Sequence, residues 1–539
     1  MKKHNILALS FLATFIMASC GKTPANQQSS VESELPPEPI SGFNVTTDIN
    51  EMFEIHTADQ KKYLEWGGDY SKMPLDQYPD GNEFNSDSLP VKIDFEHEPD
   101  EGFENYTVTY GKEADLSDGY ELIGSKTKSV SLINPYLGKN YFQLHAYYDD
   151  GSVEDSEIME FDVDSVYPRN LKIEGLTNCR DMGGRTTEDG GTVKQGLLYR
   201  TSGNNFQTKS QNSEGRGIIN ANGKKELLEH IGLKTEINVN SNTQYNINLQ
   251  GTTQKNFYMD YGGSAASHFS RNAESVKAFF KCISDESVYP AAFHCRIGTD
   301  RTGLCAILTS GLLGVDLNDI YQDYLFSNFG NIEDKRKIGE AAGQDNIENY
   351  VNDIQMVAGK SFKNKVYNTL LSIGVPAANL DSVISILTEG ELASGNKAGQ
   401  IVATADKFEL GGGATLTAEN LNNRTPANVL LNSSSKTVSY SFSTSEAYKG
   451  QVVAYLGNTE NSSTKKIGSA ISCSLDGKAV TIRDVTYAKA GMGNVNNRIN
   501  YYPVVLGEVD VPAGNHKITI AGTSNTMNIG SICVFNTSK

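Results

Sequence analysis

The apolar run Ala291-Ala292-Phe293-His294 passes through the polar stretch Cys295-Arg296-Ile297-Gly298-Thr299-Asp300-Arg301 into an apolar sequence opening Thr302-Gly303-Leu304. This pattern predicts a strand ending at His294, a compact loop, and a helix starting near Thr302. Gly298 permits the tight backbone curve. Such a loop turns its backbone N–H groups toward one point at a helix N-terminus, where the dipole also favours an anion. A cysteine there is stabilised as a thiolate, a nucleophile at neutral pH. Arg301, six residues on, closes the loop and offers a fork for two phosphoryl oxygens. Cys295 and Arg301 are therefore candidate catalytic residues. His294 tunes the loop and the thiolate, and Thr302 stabilises the thiolate as it departs. Arg296, Ile297, Gly298 and Thr299 line the phosphate.

The surrounding chain is multidomain: its 539 residues suggest about three or four domains. The net charge of −18 is unevenly placed, since residues 21–164 hold 31 acidic and 9 basic residues, a balance of −22. Short alternating runs from Leu89 to Phe161, punctuated by turns such as Asn134-Pro135, predict a β-sandwich at 51–165. Leu137-Gly138-Lys139-Asn140-Tyr141 before an alternating strand resembles fibronectin type III modules. Its acidity reads as a solvated face. Trp66, the only tryptophan, lies in a segment with no assignable element. From Asn170 to about Glu389, β-like segments alternate with helical patterns, the texture of an α/β layer domain. Residues 391–400 read as a linker. Residues 401–539 are Asn/Ser/Thr/Gly-rich with short strands, and Val511-Pro512-Ala513-Gly514-Asn515-His516 before a strand resembles jelly-roll carbohydrate-binding modules. A glycan is the ligand such a module would take; Tyr501 and Tyr502 are the aromatic candidates, with core packing the competing role.

Residues 1–19 combine Lys2 and Lys3 with an apolar stretch too short to span a membrane, a signal-peptide pattern. Small residues before Cys20 resemble a bacterial lipoprotein signal, which implies lipidation at Cys20 and a membrane anchor through residues 20–50, a polar tether. The expected location is the cell envelope, periplasmic or at the surface. No basic run is present, which argues against nucleic acid as a partner. The remaining cysteines and the eight histidines follow no disulfide or metal-ligand spacing. No metal and no cofactor is expected.

H-C-x5-R at 294–301 is the signature of cysteine-dependent phosphatases. Asn178-Cys179-Arg180-Asp181-Met182-Gly183-Gly184, Gly196-Leu197-Leu198-Tyr199-Arg200-Thr201-Ser202 and Asp323-Tyr324-Leu325-Phe326-Ser327-Asn328 add three further motifs. Their order and spacing resemble the bacterial tyrosine/lipid phosphatases, the family of the secreted mycobacterial protein tyrosine phosphatase B. The resemblance implies an α/β cysteine-phosphatase domain at 166–390. It also implies hydrolysis of phosphotyrosine, with phosphoserine/threonine or phosphoinositides in some members, and substrate-binding roles for Arg180, Asp181 and Arg200. Three departures matter. Thr299 stands where the family often has Lys, which weakens recognition of polyanionic headgroups. Asn238-Val239-Asn240-Ser241, with Gln244 nearby, replaces a charged D-L-R-S…E segment, so a supporting ion-pair network is expected to be lost. Cys179 replaces Phe: it is either a small buried residue or, if near Cys295, the partner in a protective disulfide.

A general acid must protonate the leaving oxygen. The resemblance supports Asp300, inside the loop; Asp260, 35 residues before Cys295, stands where phosphatases place a mobile acid loop. The sequence thus points to a phosphomonoesterase acting on a phosphorylated protein or small phosphomonoester through a cysteinyl-phosphate. Two alternatives remain: an inositol-phosphate or phosphoinositide phosphatase, and a non-catalytic surface binding protein.

Overall fold

The computed structural model describes residues 42–77, 87–124, 126–205, 217–240, 242–260, 265–330, 332, 335–339, 347–389, 400–421, 423–460, 464–495 and 498–538. The expected signal segment, Cys20, most of the expected tether and nearly all of the expected linker at 391–400 lie outside these residues. Among the described residues no helix is long and apolar enough to cross a membrane.

The N-terminal module is a β-sandwich. One sheet orders β1 (Asn44–Val45), β2 (Val91–Glu96) and β5 (Ser129–Leu132). The other orders β4 (Tyr120–Ile123), β3 (Phe103–Gly111), β6 (Gly138–Tyr148) and β7 (Val153–Asp155), with β8 (Met159–Val163) also on β6. Alternation in β2 puts Val91, Ile93 and Phe95 inside. Two expected boundaries shift. The tether, drawn to residue 50, ends earlier, because Asn44–Val45 already pairs with Phe95–Glu96. Residues 58–77, assigned to the acidic module, pack instead on the central domain. There α1 (Ala58–Leu64), started by a Thr57/Gln60 capping box, sends Tyr63 and Leu64 into the central core with Tyr70, Met73 and Leu75. Trp66 packs on the same core. Tyr63 donates its hydroxyl to the Gln322 carbonyl at 2.8 Å, and the Asn318 side chain accepts the Tyr70 N–H at 2.7 Å.

The central domain is α/β. Its sheet orders β13 (Thr253–Met259), β12 (Thr235–Asn240), β14 (Ala291–His294), β11 (Leu198–Thr201) and β9 (Arg180–Asp181), all parallel except β9; β10 (Thr192–Val193) pairs separately with β15 (Thr388–Glu389). β14 is central and buried at all four residues, as a parallel strand covered on both faces must be. The helices are α2 (Ala221–Lys225), α3 (Ala265–Ile283), α4 (Asp300–Leu313), α5 (Leu317–Phe326), α6 (Ile347–Gln355), α7 (Phe362–Ser372) and α8 (Ala377–Leu387). α4 follows β14 through the loop and is buried on nearly every side.

The C-terminal module is a second β-sandwich. One sheet orders β18 (Leu416–Thr417), β19 (Asn428–Leu431), β27 (Met527–Asn536), β21 (Tyr448–Asn458), β25 (Arg498–Val511) and β24 (Gly493–Val495), with β16 (Gln400–Thr404) on β27. The other orders β17 (Glu409–Gly411), β20 (Thr437–Thr444), β26 (Gly514–Gly522), β22 (Ile471–Leu475) and β23 (Lys478–Val480). Val453, Tyr455, Tyr501, Val505, Cys533 and Phe535 join the central domain's core cluster, so one face of the larger sheet is an internal interface. Tyr501 is buried there, and Tyr502 faces Asp353 of α6. These tyrosines serve packing between modules and are not available to stack on a sugar.

Candidate active site

β14 delivers Cys295 to the C-terminal edge of the parallel sheet, and the loop curves back under the start of α4. Gly298 has φ +74°, and a Cβ there would lie 2.4 Å from the Thr201 carbonyl oxygen. Only glycine fits both constraints. Asn178 braces the loop from a neighbouring turn, donating to the Ile297 carbonyl at 3.2 Å and to Thr299 Oγ1 at 3.3 Å. The half-buried Arg296 gives its carbonyl to the Gly203 N–H at 2.9 Å. Ile297 packs on the buried Ile332.

Cys295 is 2% exposed. Burial pushes its thiol up, but the Arg301 guanidinium and the Thr302 hydroxyl and N–H reverse this and bring it below the ordinary cysteine value. Arg301 donates to Asn240 Oδ1 at 3.1 Å. Asn240 is set in turn by Asn238, whose Oδ1 accepts the Asn240 N–H at 2.6 Å, while Asn238 Nδ2 bonds Asn246. In place of the ion-pair network whose loss was expected, neutral hydrogen bonds orient Arg301 among the described residues. His294 faces the Cys295 carbonyl on one side and Glu236 on the other, at 2.9 Å each.

Arg180, Asp181 and Arg200 do not line the loop's opening. Arg180 Nε meets Asp323 Oδ1 at 2.7 Å, Arg200 Nη1 meets Asp323 Oδ2 at 2.5 Å, and Arg200 Nη2 reaches the Gly298 carbonyl at 2.7 Å. Asp181 pairs with Arg169 at 3.0 Å and accepts the N–H groups of Gly183 and Gly196. All three are buried buttresses behind the loop, which corrects their expected substrate-binding role. The buried Asp323 carboxyl is held far below its usual range because the two guanidinium groups overcome the cost of burial.

The two acid candidates separate. Asp300 sits at the start of α4, with Arg336 bonded to both carboxylate oxygens at 2.9 and 3.0 Å and the Tyr324 hydroxyl at 3.3 Å. Asp260 is gripped by Arg424 and Arg498 of the C-terminal module, and Arg424 also bonds the Tyr258 carbonyl. It ties the central domain to the C-terminal module. Cys179 lies in a separate apolar cluster with Leu171, Leu176 and Tyr199; its Sγ donates to the Thr177 carbonyl, and burial pushes its thiol far up. The small-buried-residue role therefore holds against the disulfide. Among the described residues no group of three or more His, Cys, Asp or Glu gathers to hold a metal.

Residues 171–388 match the tyrosine phosphatase family. The match falls on the central domain and supports a phosphatase of the cysteine type there. Glu236, Asn240, Asp323 and Arg336 are parts of this phosphatase site that local motif reading did not assign as functional.

No curated protein matches the chain. Among solved structures, a GH26-CBM35 β-(1,4)-mannanase from Podospora anserina is 16% identical, covering 26% of this chain and 28% of that one at TM-score 0.20. A family 35 carbohydrate-binding module from Clostridium thermocellum is 14% identical over 26% of this chain and 99% of that one, TM-score 0.20. The core catalytic domain of a PP-IP phosphatase from S. cerevisiae is 17% identical over 27% of this chain and 78% of that one, TM-score 0.20. The chain spans less than a third of the mannanase and of the exo-β-1,3-galactanase of Phanerochaete chrysosporium, 28% and 31%. At these TM-scores the overlaps carry no functional meaning.

Proposed function

We propose that this phosphatase acts on phosphotyrosine in proteins, or on similar single phosphomonoesters. The Cys295 thiolate attacks phosphorus, the P–O bond to the tyrosyl oxygen breaks, and that oxygen takes a proton from Asp300. Arg301 and the loop N–H groups hold the three remaining oxygens. Water then attacks the cysteinyl-phosphate, losing a proton to Asp300, and the sulfur leaves as a thiolate facing Thr302. To act as the acid, Asp300 exchanges its pairing with Arg336 for the leaving oxygen.

The observation that carries the choice of substrate is the fate of the nearby arginines. Arg180 and Arg200 are both engaged by Asp323. Two guanidinium groups near the loop are thereby withdrawn from a polyphosphorylated ring, in keeping with Thr299 in the loop. The test compares kcat/KM for a phosphotyrosine peptide, a phosphoserine peptide and an inositol polyphosphate with the full chain. A clear preference for the inositol polyphosphate would overturn the reading.

The wider architecture is read as an extracytoplasmic enzyme of the mycobacterial phosphatase B type, lipidated at Cys20. It would stand on a fibronectin III-like module, with a C-terminal module of carbohydrate-binding descent. Metabolic labelling with a fatty-acid probe, lost in Cys20→Ala, tests the anchor.

A further inference from the structure

Each ring nitrogen of His294 faces a hydrogen-bond acceptor. Nδ1 lies 2.9 Å from the Cys295 carbonyl and Nε2 lies 2.9 Å from Glu236 Oε1. The Glu236 carboxylate accepts on both oxygens as well, taking the Ile247 N–H at 2.6 Å and the Asn248 N–H at 2.9 Å. With Glu236 ionised, as its two backbone N–H donors favour, a neutral imidazole has one N–H and would leave one of its two acceptors unmet. The geometry is satisfied when His294 carries both ring protons and Glu236 carries none. Both side chains are fully buried, where an unpaired charge would be costly and a paired, hydrogen-bonded one is held. Burial works against each charge, and the partner outweighs it: His294 rises above the ordinary histidine value and Glu236 falls below the ordinary carboxylate value.

The groups around the pair are few. β12 supplies Glu236, and β13 supplies the uncharged Gln254 to its carboxylate. β11 places Thr201, which does not titrate here, in register with His294. α4 supplies Arg301 and Asp300 to the neighbouring sulfur, with the Cys305 thiol within electrostatic range.

We propose that Glu236 is a positioning residue for the nucleophile: it holds His294 as an imidazolium whose Nδ1–H is fixed on the Cys295 carbonyl. This anchors the start of the loop and adds a second positive charge to that of Arg301 beside the thiolate. Glu236 acts through His294 and does not itself meet the phosphate. The inference rests on the phosphatase reading only for the identity of the nucleophile.

The test reads the thiolate without a substrate. Full-length protein and its Glu236→Gln and Glu236→Asp variants are alkylated with iodoacetamide across pH, and modification of the Cys295 peptide is followed by mass spectrometry. Glu236→Gln is expected to raise the midpoint by about one pH unit, roughly a tenfold slower reaction below it, with Glu236→Asp in between. An unchanged midpoint in Glu236→Gln overturns the proposal. Should that variant fold poorly, NMR of isotope-labelled histidine in the native protein still decides, with His294→Asn assigning the signal. A doubly protonated His294 at about pH 8 is expected, and a neutral ring there contradicts the idea. Shifted alkylation in a protein with no phosphatase turnover would instead sink the functional reading and leave this one standing.

Discussion

Arg180 and Asp323, both buried, meet at 2.7 Å beside the catalytic loop. The same carboxylate takes Arg200, and Arg200 reaches the Gly298 carbonyl. α5 is thereby wired to the turn of the loop through two guanidinium groups and one carboxylate.

Replacing Asp323 with Asn leaves two buried guanidinium groups facing a neutral amide. The expected cost is about 3–5 kcal/mol, read as a lower urea midpoint. The sign with pH follows from the lowered carboxyl. Stability from this group is complete above the unfolded carboxylate value, about pH 4, and is lost as pH falls toward the folded one. The Asn variant should lack that acid-side loss.

Asn240 supports Arg301 without neutralising it. Asn240→Asp puts a carboxylate against the phosphate-binding guanidinium, so KM for a phosphotyrosine peptide should rise by roughly tenfold. Asn240→Ala should cost about 1 kcal/mol in kcat/KM through lost orientation. Steady-state kinetics on both variants check this, and an Asp variant with native KM contradicts it.

Asp300 and Asp260 should fail in different ways. Asp300→Asn should slow esters with poor leaving groups by about 10²–10⁴-fold while largely sparing an activated aryl phosphate. Asp260→Ala should keep the chemistry on both substrates. It should also release the grip of Arg424 and Arg498, seen as faster limited proteolysis between the central and C-terminal modules.

Asp353, on α6 against Tyr502, has its carboxyl pushed up to about 7 by burial. Between about pH 4 and pH 7 the unfolded chain releases a proton that the folded one keeps. Stability therefore declines across that window and stays lower above it. Asp353→Asn should stabilise the protein by about 2–4 kcal/mol near pH 8 and by nothing near pH 4, measured by denaturant titration at both.

The catalytic loop is legible in the sequence because strand, loop and helix are contiguous, so His294, Cys295, Gly298 and Arg301 announce one another. Its supports are not, because they arrive from distant positions. Thr235-Glu236-Ile237-Asn238-Val239-Asn240 alternates like a half-exposed strand, yet all six residues are buried. The polar face of β12 therefore needs buried partners, and it finds them in His294, Asn246 and Arg301. Arg180 and Arg200 show the opposite error. An arginine in a phosphatase motif reads as a ligand until the carboxylate of Asp323, far along the chain, is seen to hold it. Strand alternation outlines both sandwiches, but it does not show that Tyr63, Trp66 and Tyr70 cross to the central domain, or that Tyr501 faces inward there. Those assignments depend on which module covers which face, information spread across the whole chain.

The central claim is that Cys295 carries the phosphoryl group between two half-reactions. Rapid acid quenching during turnover of a phosphate-labelled phosphotyrosine peptide, followed by digestion and mass spectrometry, tests it most directly. The label should appear on the peptide containing Cys295 and be absent, together with turnover, in Cys295→Ser. Turnover that persists in Cys295→Ser, or a labelled residue other than Cys295, would contradict the account.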